Sequence, residues 1–173
     1  MSTADAPPPS APAPQLRPPR HRVSARAIPY WTARAAAGWA VLLVAQVVWL
    51  VAAPVDRRWQ LAALAVTGLA GAAHVAVMPR WRYAVHRWEA APDAVYTQSG
   101  WFDQERRIAP VARIQTVDTE RGPLEQLFGL SNVTVTTASA AGPLRIHGLD
   151  REVAQALVDE LTDHTRAGED DAT

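Results

Sequence analysis

The most constraining feature of this sequence is an unbroken run of 21 residues without a formal charge, residues 35–55. A helix rises about 1.5 Å per residue, so this run is about 31 Å long and can cross a hydrocarbon core of about 30 Å. A chain of 173 residues has too little mass to bury such a helix on every side. We therefore predict a membrane-spanning helix.

A second uncharged run, residues 60–78, follows after only four residues, and together the two runs predict a transmembrane hairpin. Small residues lie four apart on the second run, as Gly68 with Ala72 and as Thr67 with Gly71. Such pairs allow close helix approach. They could pack against the first helix or against a second copy of the chain, and the sequence does not distinguish these alternatives.

Arginines flank the two runs unequally. Five precede the first run, Arg80, Arg82 and Arg87 follow the second, and the turn between the runs contains two beside Asp56. The positive-inside rule therefore predicts that both termini are cytoplasmic in a bacterial plasma membrane. His74 is an ionisable group within the second run and could be an intramembrane site, but its position within one turn of Pro79 favours an interfacial location.

The remaining segments divide by composition. Residues 1–33 are rich in Pro and Arg and contain few large apolar groups, which predicts a disordered tail. Residues 34–79 contain the hairpin, residues 80–166 form the predicted globular domain, and residues 167–173 form an acidic disordered tail.

The predicted domain shows strand patterns and one terminal helix. Alternation at residues 81–85 predicts a strand leaving the membrane, and Ser99-Gly100 predicts a turn into a return strand that begins at Trp101-Phe102. Residues 111–119, 133–137 and 144–146 predict further strands. An amphipathic helix should follow Asp150 as its N-cap and end near His164. The sequence therefore predicts a meandering sheet closed by a C-terminal helix.

Several short motifs carry a family resemblance. They are Arg113-Ile114-Gln115-Thr116-Val117-Asp118, Gly122-Pro123-Leu124-Glu125, Phe128-Gly129-Leu130 and Gly148-Leu149. In this order they resemble bacterial pleckstrin-homology-like (YdbS-like) membrane proteins. The resemblance implies a pleckstrin-homology-like (PH-like) fold, a bent antiparallel barrel with a C-terminal capping helix, placed directly after two membrane helices. Most of these motif residues have structural interpretations, as turns or core anchors.

Catalytic, cofactor-binding and metal-binding residues are not predicted. There is no Cys, no H-x-x-x-H or H-E-x-x-H spacing and no glycine-rich phosphate loop. An active site assembled from distant residues stays a remote alternative. The candidate domain is slightly acidic, which argues against nucleic acid as a partner.

The sequence therefore predicts a non-catalytic binding or scaffolding module. Arg113 and Gln115 should face away from the core on a strand whose Ile114 faces inward, and with Asp118 they are candidate contacts for a protein partner or a second copy. Recognition of anionic phospholipid through Arg106 and Arg107, with Arg82 near the membrane, is the alternative. The neighbouring residues Asp103 and Glu105 oppose that alternative.

Overall fold

The computed structural model describes residues 18–53, 56–100, 102–139 and 142–170, and of residues 165–170 only the backbone. A two-residue strand, His21–Arg22 (β1), precedes two long helices, Ala27–Ala52 (α1) and Arg57–Val85 (α2). There follow β2 (Arg87–Ala90), β3 (Ala94–Gly100), β4 (Gln104–Pro110), a 3-10 turn (Val111–Arg113), β5 (Ile114–Glu120), α3 (Pro123–Leu127), β6 (Leu130–Thr137), β7 (Leu144–Asp150) and α4 (Arg151–Asp170). The described part of the chain is a helical hairpin followed by a mainly β domain.

The described strands form two antiparallel sheets, β1-β2-β3-β4 and β5-β6-β7. The 3-10 turn carries the chain from β4 into β5. Alternate strand residues such as Val95 and Val133 point inward and are fully buried, because strand side chains alternate between faces. Ala154, Leu157 and Leu161 of α4 repeat at helical spacing and cover the same core. The predicted fold, a PH-like domain with a C-terminal helix after a hairpin, is confirmed.

Helices α1 and α2 pack antiparallel through polar bonds and small residues. Trp39 Nε1 donates a hydrogen bond to His74 Nδ1 (2.8 Å), and Gln46 Nε2 donates one to Thr67 Oγ1 (2.8 Å). Gly71 lies against the indole of Trp39, since a Cβ at Gly71 would be 3.0 Å from Trp39 Cδ2. Of the two small-residue faces of α2, the one with Thr67 and Gly71 therefore packs inside the hairpin.

Both helices are long and apolar enough to cross a membrane. Large apolar side chains are exposed along them, including Val44, Val51, Val66 and Leu69. From Arg34 to Ala52, α1 rises about 27 Å without a further charge, close to the ~30 Å of a hydrocarbon core. Arg34 therefore marks the membrane boundary on the side of the domain.

The prediction of a disordered tail over residues 1–33 is wrong for residues 18–33, while residues 1–17 lie outside the described residues. Strand β1 pairs with β2, and Val23, Ala27, Tyr30 and Trp31 belong to the domain core. Composition within the segment did not indicate this, because the surface that these side chains cover is formed by residues far along the chain.

The strand predicted for residues 81–85 is also wrong, because α2 continues past Pro79 to Val85. The three alternating positions were too few to separate strand from helix. The last turn of α2 packs on the first turns of α1, where the guanidinium carbon of Arg82 lies 4.7 Å from the centroid of the Trp31 ring. The end of α2 therefore packs on α1 as part of the helical hairpin.

Other boundaries also differ from the sequence prediction. Residues 111–113, predicted as the start of a strand, form the 3-10 turn, and β5 begins at Ile114. Strand β4 begins at Gln104, so Phe102 lies in the turn between β3 and β4. Helix α4 continues to Asp170 instead of ending near His164, and residues 167–170 of the predicted acidic tail are helical. The apolar pattern ends with the last packed residue, Leu161, whereas backbone hydrogen bonds can extend a helix further. Residues 171–173 lie outside the described residues.

Candidate functional site: membrane junction and distal groove

The first turns of α1 are packed into the β domain. Tyr30 and Trp31 are only 6% and 3% exposed. The Tyr30 ring meets Phe128 edge-on with centroids 6.1 Å apart, and the Trp31 ring lies 5.1 Å from that of His86. Residues 20–34, with the domain residues that they touch, form a junction that joins the hairpin to the domain.

The carboxylate of Glu125 is the polar centre of this junction. Tyr30 Oη (3.0 Å) and Asn132 Nδ2 (2.7 Å) donate hydrogen bonds to Oε1, and the Gly122 N–H donates one to Oε2 (2.6 Å). Arg34 Nη1 in turn donates to Tyr30 Oη (3.0 Å). Desolvation raises the pKa of Glu125, but these hydrogen bonds outweigh it and the pKa is lowered. An ionised Glu125 therefore connects α1 to β6 and α3.

Two glycines let the N-terminal segment approach the domain closely. Gly129 and Gly148 have φ angles of +67° and +75°, which L side chains rarely adopt. A Cβ at Gly148 would lie 3.1 Å from Ala27 Cβ, and one at Gly129 would lie 2.9 Å from Arg26 Nη1. The carbonyl of Gly148 also accepts a hydrogen bond from the Ser24 N–H (2.9 Å). Residues from several of the family motifs thus meet at the junction.

Acidic side chains hold the segment before α1. Asp150, predicted to cap α4, accepts a hydrogen bond from Ser24 Oγ (2.7 Å), and Arg26 Nη1 lies 3.7 Å from its Oδ1. Glu89 on β2 accepts a hydrogen bond from the Arg20 N–H (3.1 Å). Both contacts join residues far apart in sequence, which explains why local patterns did not indicate them.

Arg82, predicted to contact lipid, lies in the junction beside His86. His86 Nδ1 is 2.8 Å from the Arg82 carbonyl oxygen, and Arg82 Nε is 3.4 Å from His86 Nε2. Since a carbonyl only accepts, Nδ1 carries the proton and Nε2 accepts. Burial and the nearby Arg82 charge lower the pKa of His86 to about 4. Burial, followed by the charges of Arg82 and Arg145, also lowers the pKa of His147.

The strand register defines which end of the domain lies far from the membrane. Strand β2 follows α2 directly, and its first residue, Arg87, pairs with Gln98 of β3. The other end of β3, Ala94, pairs with Pro110 of β4. In the second sheet, β7 ends at the junction, so its first residue, Leu144, lies at the far end.

A groove of about 270 Å³ opens at this far end, between β4, the 3-10 turn and the start of β7. This distal groove is lined by residues that include Arg107, Ile108, Pro110, Arg113, Thr137 and Leu144. Arg107 Nη1 donates a hydrogen bond to the Pro143 carbonyl (2.6 Å), and its Nε lies 3.1 Å from Glu105 Oε1. Arg113 is exposed at the rim.

The other predicted contact residues lie elsewhere. Ile114 is buried and Gln115 is exposed, as the alternation predicted, but neither Gln115 nor Asp118 lines the distal groove. Asp118 Oδ2 accepts a hydrogen bond from Thr116 Oγ1 (3.0 Å). Arg106 is exposed on β4 opposite Gln98. The structure thus brings together only Arg107 and Arg113 of the six candidates.

Within the described ranges, no three His, Asp or Glu side chains are grouped so that they could hold a metal ion.

Two apolar helices joined to an antiparallel β domain with a C-terminal helix define a membrane-anchored PH-like protein. A family model described as "Bacterial PH domain" matches residues 35–165, and the chain belongs to this family. The chain is also 35% identical over 97 residues to the "UPF0699 transmembrane protein YdbS" of Bacillus subtilis (strain 168). That alignment covers 56% of this chain and 60% of the relative, so the chain spans about 60% of that protein's length. No solved structure matches the chain. The protein is therefore a bacterial integral membrane protein with two candidate spans.

Proposed function

We propose that this chain is a non-catalytic binding and scaffolding module that holds a PH-like domain on the cytoplasmic face of the plasma membrane for contact with a protein partner. The observation that carries the proposal is the division of the domain into two ends. The near end is occupied by the junction, whereas the distal groove opens at the end farthest from the hairpin. A partner can thus reach the groove without crossing the membrane surface.

The arginine distribution supports the cytoplasmic side. Arg34, Arg80 and Arg87 lie at the domain end of the hairpin, whereas the turn at the other end contains Arg57 and Arg58 beside Asp56. An excess of arginine favours the cytoplasm. The domain and both chain ends are then cytoplasmic.

The chemistry of the distal groove favours a segment of a protein partner that carries an acidic side chain and an apolar one. The Arg113 guanidinium is exposed at the rim, and Ile108 exposes 46% of its surface beside it. A guanidinium binds a carboxylate through directed, charge-assisted hydrogen bonds, and the exposed isoleucine offers apolar contact next to it. These features are typical of an interface that combines a charged contact with apolar burial.

Photocrosslinking in native membranes tests this function. A photoreactive residue replaces Ala112, exposed beside Arg113 in the 3-10 turn, in one variant and Gln155, exposed on α4, in a matched control. We expect one identified protein adduct from position 112 that is absent from position 155. Adding Ile108→Glu, which places a negative charge in the groove, should abolish it. An adduct pattern identical at the two positions would contradict the proposed contact.

Lipid recognition gives a different result in the same experiment. Arg107 already contacts Glu105 and the Pro143 carbonyl, which disfavours a role in binding phosphate. If position 112 captures only phospholipid, and Arg106→Ala with Arg107→Ala removes that signal, the lipid-headgroup function replaces the protein-binding one.

A further inference from the structure

We propose that the near end of the domain is itself seated in the interfacial zone of the bilayer, through Phe102 in the β3–β4 turn and Leu127 on α3. The occupant of this surface is the headgroup and upper acyl region of the leaflet that the hairpin crosses. The inference is independent of the distal groove and concerns the opposite end of the domain.

The hairpin contacts define the level of the membrane boundary. Trp39 is hydrogen-bonded to His74, and Arg82 lies over Trp31. In both pairs the two residue numbers add to 113, so residues of α1 and α2 with this sum lie at the same level along the hairpin axis. Arg34 is accordingly level with residues 79–80. Tyr30, which lies in the domain core, is only about 6 Å above Arg34 along the helix axis. The domain therefore begins within the headgroup zone.

The β3–β4 turn points back toward the membrane beside α2. Gln98 pairs with Arg87, and β3 continues from there toward the hairpin. At about 3.3 Å per residue, the turn lies about 7–10 Å on the membrane side of Arg87. Trp81 lies about 9 Å on that side along α2, and it lines an open cavity together with Gln104 at the base of the turn. Phe102 and Trp81 are therefore at similar depth.

An interfacial location of the near end explains why large apolar side chains are exposed there. Phe102 is 86% exposed and Trp81 is 54% exposed. On the other side, α3 is joined to Tyr30 through Glu125, and its Leu127 is 78% exposed. Isolated exposed apolar residues need no explanation on a soluble surface. Here they lie beside both membrane helices, where aromatic and leucine side chains favour the interface.

Depth-dependent quenching tests the proposal on the full chain in lipid nanodiscs. The sequence contains no cysteine, so Phe102→Cys, Leu127→Cys and the control Ile108→Cys each carry a single environment-sensitive fluorophore. Ile108 is exposed too but lines the distal groove. With phospholipids spin-labelled near the headgroup, the probes at 102 and 127 should lose most of their fluorescence, and the probe at 108 should keep it.

The proposal is overturned if the probe at position 102 keeps its fluorescence as the probe at 108 does. If the probe at position 127 keeps its fluorescence, α3 is not part of the surface seated in the bilayer. An experiment without substitution checks the result. Phospholipids with a photoreactive group near the headgroup should label the unmodified chain in the peptide that contains Phe102 and not in the peptide that contains Ile108. Labelling restricted to α1 and α2 contradicts the proposal. Neither readout depends on a protein partner, so it can fail or succeed separately from the proposed function.

Discussion

Replacing Trp31 by alanine should destabilise the β domain, although this residue belongs to a membrane-spanning helix. The side chain is 3% exposed and contacts the ring of His86 and the guanidinium of Arg82. Truncating a buried Trp to Ala typically destabilises a protein by about 3–5 kcal/mol. A loss of about 4 kcal/mol corresponds to an increase of about a thousandfold in the population of the unfolded domain.

Hydrogen exchange of the β6 amides in the full chain, reconstituted in nanodiscs, measures this loss. Protection at Val133 and Val135, both fully buried, should fall about a thousandfold in Trp31→Ala, because exchange there requires opening of the core. Trp31→Phe should give an intermediate loss. The matched control is Trp59→Ala, at the opposite end of the hairpin and 74% exposed. A loss below about tenfold, or equal losses in the Trp31 and Trp59 variants, would refute the role of the junction.

Three other changes test the junction with the same assay. The pKa of His86 is about 4 in the folded chain, against an ordinary value of 6.5, so the unfolded chain binds more protons between these two pH values. The free energy of unfolding should therefore fall by up to about 3 kcal/mol from pH 6.5 to pH 4. The variant His86→Asn should flatten this pH dependence. Gly148→Ala should cost about 1–3 kcal/mol more than Gly142→Ala, since both have similar positive φ but only Gly148 faces α1; equal losses would contradict this contact. Glu125→Gln should cost about 1.5–3 kcal/mol, because its carboxylate accepts three hydrogen bonds; unchanged protection would exclude that role.

The parts of the fold that the sequence predicted are those with a local periodic signal. The uncharged runs predicted the two helices of the hairpin. The repeat of Val153, Leu157 and Leu161, with Ala154 and Val158 beside it, predicted an apolar face of α4. Ala154, Leu157 and Leu161 are buried as expected, but Val153 is 39% exposed. The extension of α1 back to Ala27 was missed, because Tyr30 and Trp31 are buried by residues far along the chain. A spacing of apolar residues at 27, 30 and 31 was present in the sequence and could have indicated a helix face.

The candidate contact surface was only partly predictable. Alternation along β5 correctly predicted that Gln115 is exposed next to the buried Ile114, whereas Arg113 is exposed in the 3-10 turn and not on the predicted strand. Nothing in the sequence indicated that Arg107 and Arg113 would line the same groove, because that arrangement depends on how the two sheets face each other. Arg82 was expected at a lipid surface because of its position after the second run, and that expectation stays a prediction. The contact of its guanidinium with Trp31 was not indicated by the charge pattern, because Trp31 lies far away in sequence.

Because the first turns of α1 pack into the domain core, we predict that the hairpin and the domain move as one rigid unit and hold the distal groove away from the membrane. The most direct test is a spin-label distance measurement in nanodiscs, using the absence of native cysteine. Labels are placed at Val41→Cys, 71% exposed on α1, and at Gln115→Cys, exposed on β5. We predict one narrow distance distribution that broadens in Trp31→Ala. A broad distribution of distances between the two labels, in the chain without further substitutions, would contradict this rigid connection.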